Sequence, residues 1–463
     1  MRLLTTICAL ALVLALCVPA FAETQNVKVS GDISVYHVYQ RNLDLNKDDG
    51  DAGAGDTAAT NDTSDSDNFF AQQVGLNVSA DLTDNVSTYV RLINERDWTV
   101  NATTNNFDVE LDQAYATLRE VLYAPLTLKI GRQDLFFGRG LIIGSNATTW
   151  NNNGELGIAE YSDHKAFDAV RATLDYDPWT IDLVCSKIDE DGNMIQDDTD
   201  LYGLNIGYLF DKYQAEAEAY VFHRHDQSNK PLIAANTKDF DTNECTTWGA
   251  RGSFVPYESL NMWVEAAAQT GKEHDTTLET TRKDREAYLL NAGGDYTFTD
   301  IKWDPMIGLE YLYLSGEPQD NLTGAGQFEG WDPMYRGRAL NIIRDFMDNL
   351  YNSDAVTAGT FRRGRSSGQT NQSSVGLSGG LDLLEDLALD AKLSMFWAEE
   401  PLLAASSDKE IGQELDGYLT YDYTEDVEFK LAGGVFWPDK VYEAVNSCDD
   451  MASKVVSSVK VEF

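Results

Sequence analysis

Residues 411–437 read IGQELDGYLTYDY, then TED, then VEFKLAGGVFW. In the second limb Val427, Phe429, Leu431, Val435 and Trp437 share one parity, while Glu428, Lys430 and Ala432 share the other. An apolar/polar period of two is the pattern of a strand with one oily and one polar face. The turn between the limbs, Thr424-Glu425-Asp426, is only three residues long. Working backward, Leu387, Leu389, Ala391, Leu393, Met395 and Trp397 oppose Asp390, Lys392 and Ser394. Val74, Leu76, Val78, Ala80 and Leu82 repeat the scheme near the start, as do Val27, Val29, Ile33 and Val35. Strands of a soluble sandwich run to about five or six residues. Alternation over about ten fits a tilted crossing of a bilayer.

Eighteen such segments are predicted: 27–40, 69–82, 86–94, 109–119, 126–133, 166–176, 179–187, 200–210, 213–224, 246–255, 260–270, 286–298, 305–315, 373–383, 387–399, 411–423, 427–437 and 454–463. Short links (83–85, 211–212, 424–426) alternate with long ones, notably 41–68, 132–165 and 316–372. That rhythm predicts an all-β transmembrane antiparallel barrel with short periplasmic turns and long extracellular loops. No later stretch is long and apolar enough for a membrane helix, a condition that a barrel does not need. The final alternating strand ends on Phe463, an aromatic terminus suited to recognition by barrel-assembly machinery.

Composition agrees. The 463 residues carry 76 acidic against 35 basic side chains, a formal charge of −41, which argues against nucleic acid as a partner. Met1-Arg2, the apolar run from Ile7 to Val18 and Ala20-Phe21-Ala22 read as a signal peptide over 1–22, leaving 23–463 as the barrel. The expected place is therefore the outer membrane of a Gram-negative bacterium, in contact with lipid and lipopolysaccharide. Cleavage would leave Cys185, Cys245 and Cys448, an odd count that is no disulfide framework. A Cys245–Cys448 bridge would join distant walls of the ring, so none is expected.

Charge facing lipid is costly, so the polar parity is assigned to the lumen. Arg91, Lys129, Arg171, Arg251, Lys392 and Lys430 fall there, among a larger number of carboxylates. Strand 109–119 is ambiguous, because both its parities hold polar groups. The mixed lumen charge reads either as a pairing ladder that stiffens the wall or as a transverse field that orients a polar solute. Arg91, Arg132, Arg139, Arg171 and Arg251 are the candidate cationic contacts along the substrate path. Glu110, Asp112, Glu414 and Asp416 are the candidate opposing acid wall.

Residues 131–150 read GRQDLFFGRGLIIGSNATTW at the start of a long external loop. Four glycines and two arginines there suit a tight, arginine-bearing re-entry beside the pore. The stretch resembles the signature of the alginate-export family of outer-membrane proteins. Leu111-Asp112-Gln113-Ala114-Tyr115, Phe167-Asp168-Ala169-Val170-Arg171, Trp331-Asp332-Pro333-Met334-Tyr335 and Gly412-Gln413-Glu414-Leu415-Asp416 resemble the same family in the same order. The resemblance implies a monomeric 18-stranded barrel passing a polyuronate, whose carboxylates need cationic partners. This sequence departs from that pattern in its acid-rich lumen and in Arg139, where the family often has an acidic residue. The alternative reading is a general or cation-preferring porin. A barrel with a closed lumen is a third.

The acidic loop 41–68 begins like a calcium loop at Asp44, but Asp49 stands where glycine is needed, so a solvated loop is expected. His223 and His225 give two ligands at most, and no metal site or cofactor is expected. His164 beside Asp163 frames no nucleophile, so no enzyme is expected. Leu340, Ile343, Phe346, Met347 and Leu350 stand at helical spacing, predicting a short amphipathic helix over 339–351 on or in the mouth.

Overall fold

The computed structural model describes residues 26–43, 45, 66–98, 108–146, 161–190, 198–227, 242–274, 282–318, 327–346, 369–401, 407–446 and 450–463. The proposed signal peptide, most of the acidic loop, Cys448 and residues 347–351 lie outside them.

In chain order the strands are β1 (Asn26–Arg41), β2 (Ser66–Thr83), β3 (Val86–Asp97), β4 (Glu110–Arg119), β5 (Leu126–Gln133) and β6 (Phe167–Asp175). Then come β7 (Trp179–Asp189), β8 (Thr199–Phe210), β9 (Ala215–Asp226), β10 (Asn243–Tyr257), β11 (Leu260–His274), β12 (Arg282–Thr297) and β13 (Met306–Leu314). The two-residue β14 (Gln327–Phe328) runs parallel to the start of β12 and is no part of the wall ladder. The wall resumes with β15 (Gln372–Leu384), β16 (Leu387–Ala398), β17 (Glu410–Thr424), β18 (Val427–Pro438) and β19 (Ala452–Glu462). Each wall strand pairs antiparallel with its neighbours, and β1 pairs with both β2 and β19, so the sheet closes. This is an 18-strand barrel, and every predicted segment is one of its strands. Closure leaves no edge, the condition for a sheet in hydrocarbon.

Exposure is inverted relative to a soluble protein. Leu431 is 48 % exposed and Val264 48 %, while Glu265, Glu414 and Asp416 are at 0 %. The apolar parity faces outward, and Tyr176, Trp179, Phe210, Tyr257, Trp303 and Tyr423 stand exposed near the short-turn end, as an interfacial aromatic girdle does. Tight turns at that end join β2 to β3 and β17 to β18, each keeping register over eleven further pairs beyond one shift beside the turn.

The ambiguous strand has a physical explanation. β4 carries a bulge: Arg91 faces Gln113, but the next residue, Leu92, faces Leu111. Asp112 is the extra residue, and it turns inward with Gln113 instead of alternating outward.

Candidate functional site: a narrowed polar lumen

Among the described residues, at least three external segments fold back inside the barrel. Asp134–Asn146 follows β5 and carries Leu135, Phe137, Leu141, Ile142 and Ile143, all buried against Phe167, Val184, Leu201, Phe222 and Leu312 of the wall. Its backbone is caught by wall carboxylates. Gly138 N–H donates to Glu218 (3.1 Å) and Arg139 N–H to Glu265 (3.1 Å). Gly138 sits at φ +60°, and a Cβ there would come within 2.8 Å of the Glu265 carboxylate, so only glycine fits.

The second segment, Gln327–Phe346, crosses from the β9–β12 wall to the β16–β18 wall. At its start Asp332 meets Arg224 (3.1 Å) and Arg285 (3.5 Å), and exchanges two hydrogen bonds with Gln269. Burial alone would raise the Asp332 carboxyl, but the two guanidiniums pull it well below the usual carboxylate range. At its far end Glu414 accepts the N–H groups of Ile343 (2.7 Å) and Arg344 (2.8 Å), and Asp416 accepts that of Ile342 (3.4 Å).

The two segments are stitched together. Ile143 and Tyr335 form a parallel bridge, and Gly337 N–H donates to Gly140 O (2.9 Å). Gly337 packs so closely on Gly144 that a Cβ would lie 2.3 Å from the Gly144 carbonyl carbon. The helix expected over 339–351 is not formed through Phe346, where only a 3₁₀ turn, Arg344–Phe346, appears. Carboxylates take the N–H groups of this stretch: Asp345 accepts those of Leu340 and Asn341, and Glu414 accepts those of Ile343 and Arg344, which a helix starting at 339 would direct to its own carbonyls.

A third insertion, 161–166, covers the β1–β3 side. Tyr161 stacks on Tyr36 (4.9 Å), and Glu95 accepts from Ser162 (2.6 Å) and from the Asp163 N–H (2.7 Å). Asp163 then reaches Arg91 at 3.7 Å.

Space remains beside that contact. One polar cavity of ≈ 360 Å³ includes Tyr89, Arg91, Asp112, Asp134, Asp163 and Lys165 in its lining; another of ≈ 490 Å³ includes Asp32, Asn77, Arg91, Asp163, Asp426, Lys460 and Glu462. They share Arg91 and Asp163, so the two adjoin at that pair. Arg91 is held by Asp32 (2.8 Å) and Asp112 (3.3 Å) as well.

Arg139 bonds Glu310 (3.3 Å) and lies over the Trp263 ring (4.2 Å). Arg171 bonds Asp182 (2.7 Å), and Arg251 is held between Glu216 and Glu218 on β9. Glu414 and Asp416 do face inward, but they hold backbone rather than line open space. Glu110 sits at the rim, 3.4 Å from His164. Arg132 is a correction: it pairs in register with Ala114 and Asp168, three residues beyond the inward Lys129, so its parity is outward. It bonds Asp168 (3.2 Å) and His164 (2.8 Å) at the external rim instead of lining the pore. Asp134, Asp163, Lys165 and Arg338 escaped sequence reasoning as pore residues. They stand on loops, where no period reveals a face, and Arg338 comes close enough to act electrostatically on Arg139 and Glu310.

Comparison with known proteins fits this geometry. No curated protein matches the sequence. Among solved structures, OccAB2 of Acinetobacter baumannii is similar at a TM-score of 0.55 with 9 % identity, over 96 % of this chain and 99 % of that one. OccK3 (OpdO) of Pseudomonas aeruginosa is similar at 0.55 with 10 % identity, over 96 % and 97 %. A BenF-like porin of Pseudomonas fluorescens Pf-5 is similar at 0.53 with 9 % identity, over 95 % and 99 %. At such identities the likeness speaks for the fold alone. The family model described as alginate export matches residues 55–449. The chain belongs to the alginate-export family and is an outer-membrane β-barrel channel for hydrophilic solutes.

Proposed function

We propose that the channel passes small hydrophilic solutes passively and prefers cationic or neutral ones. The observation that carries this reading is the charge of the two adjoining cavities. Asp32, Asp112, Asp134, Asp163, Asp426 and Glu462 stand there against Arg91, Lys165 and Lys460. Arg91, the cation at the junction, is already surrounded by three carboxylates. A fixed excess of acid in a low-dielectric passage concentrates cations and repels anions. Arg139, Arg171 and Arg251 are likewise engaged by wall carboxylates, so a polyuronate would have to displace these ion pairs to bind along the path. The barrel is taken to act as a monomer, exported by the signal peptide over 1–22 and assembled through the strand that ends at Phe463.

A second reading rests on Arg139, Arg338 and Lys392, which gather around Glu310 and could meet the carboxylates of a uronate. Swelling of proteoliposomes separates the two. Size-matched sugars should enter in the order amino sugar, neutral sugar, uronate, with the uronate slower by several-fold. A uronate that enters fastest, or an oligouronate that enters as readily as the monomer, would replace the proposal with the second reading.

A further inference from the structure

The outward surface at the long-loop end carries a row of charge that no passage through the lumen uses. Across consecutive strands Arg132, Asp168, Lys187, Asp200, His225 and Glu244 are direct register partners. Each lies within two residues of the external end of its strand. Arg132 bonds Asp168 at 3.2 Å and Lys187 bonds Asp200 at 2.9 Å, while His225 stands 3.8 Å from Glu244. Immediately below this row the same outward face is hollowed. A groove of ≈ 480 Å³ between β6 and β9 is walled by Val170, Leu183, Tyr202 and Val221, and the short side chains of Ala172 and Cys185 leave it open. His223 stands at its head, next to the row.

An apolar groove under a charged row on a lipid-facing wall fits an amphiphile, and the pattern of signs narrows which. A headgroup of one sign would meet an opposing neighbour one strand away, roughly 5 Å along the row. A layer of phosphates bridged by divalent cations presents both signs at once and complements the alternation. We propose that the outer surface of β6–β9 binds one molecule of a phosphorylated, acylated glycolipid of the external leaflet, with an acyl chain in the groove and its phosphates and divalent counter-ions against the row.

The test is native mass spectrometry of the full-length barrel in detergent, with purified lipid A and Mg²⁺ as the probe. The wild type should retain one lipid A and lose it on addition of EDTA. Cys185→Trp, which fills the groove, and Lys187→Glu, which breaks the alternation, should each reduce retention at least tenfold. Both side chains face away from the lumen, so conductance in planar bilayers should be unchanged and confirm an intact barrel; Ala172→Trp fills the same groove should either variant fail to fold. Equal retention by wild type and variants, retention that survives EDTA, or equal binding of dephosphorylated lipid A would overturn the proposal.

Discussion

Asp332→Ala is expected to raise single-channel conductance several-fold and make it noisy, with the barrel itself still assembled. Among the described residues Asp332 is the one side chain at the start of the lumen-crossing segment that meets two arginines, and Arg224 has no other carboxylate bonded to it there. Removing one member of a buried pair leaves the other charge unpaired, at a cost of about 3–5 kcal/mol. That cost falls on docking of the segment, since the wall ladders do not run through Asp332. The segment would leave the lumen for part of the time, and the bore would widen. The pH dependence follows from the sign of the shift. A carboxyl held below its unfolded value contributes docking stability that is full above the ordinary carboxylate range and is lost only as pH falls through the depressed value. Mild acid should therefore not open the wild-type channel by this route. Unaltered conductance in the variant would show that the segment does not narrow the pore.

Gly337→Val tests the same architecture from the opposite direction, by steric intrusion instead of lost charge. The Cβ would lie 2.3 Å from a backbone atom of Gly144, and backbone cannot yield as a flexible side chain does. Four hydrogen bonds join the two inward segments around that contact, through Gly140, Ile142 and Tyr335. Their separation should increase conductance about as much as Asp332→Ala, and protease should cleave within 134–146 in the variant while sparing the wild type. Combining both substitutions should add little, because each releases the same paired element.

The wall of this barrel is legible in sequence because two solvents impose it. Lipid on one side and water on the other force period two on each strand, so Leu431 and Lys430 report opposite faces without coordinates. The bulge at Asp112 is where the rule fails, since one extra residue reverses parity within a strand. Arg132 stands three residues beyond Lys129, so period two puts it on the outward face, although the glycine-rich stretch around it has the look of a pore re-entry. The inward segments are another matter. Leu135, Phe137, Leu141, Ile142 and Ile143 follow no helix or strand period, and what holds them comes from far along the chain. Asp332 finds Arg224 across 108 residues, and Glu414 finds the Ile343 N–H across 71. The apparent helix over 339–351 is a case in point. Within it Ile343 packs in one cluster with Phe396 and Phe436, while Glu414 takes the N–H groups of Ile343 and Arg344 from 71 and 70 residues away.

The most direct test of a small-solute, cation-preferring channel is the reversal potential of the purified protein in a planar bilayer under a potassium chloride gradient. Cation selectivity is expected at neutral pH. Burial raises the Asp134 carboxyl above the usual range, though Gln113 and Lys129 oppose the rise, so it should take up its proton before the exposed carboxylates. Selectivity should accordingly weaken on mild acidification, and Asp134→Asn should start from a smaller potential. A reversal potential of anionic sign at neutral pH would contradict the acid-lined passage at Arg91 and Asp163.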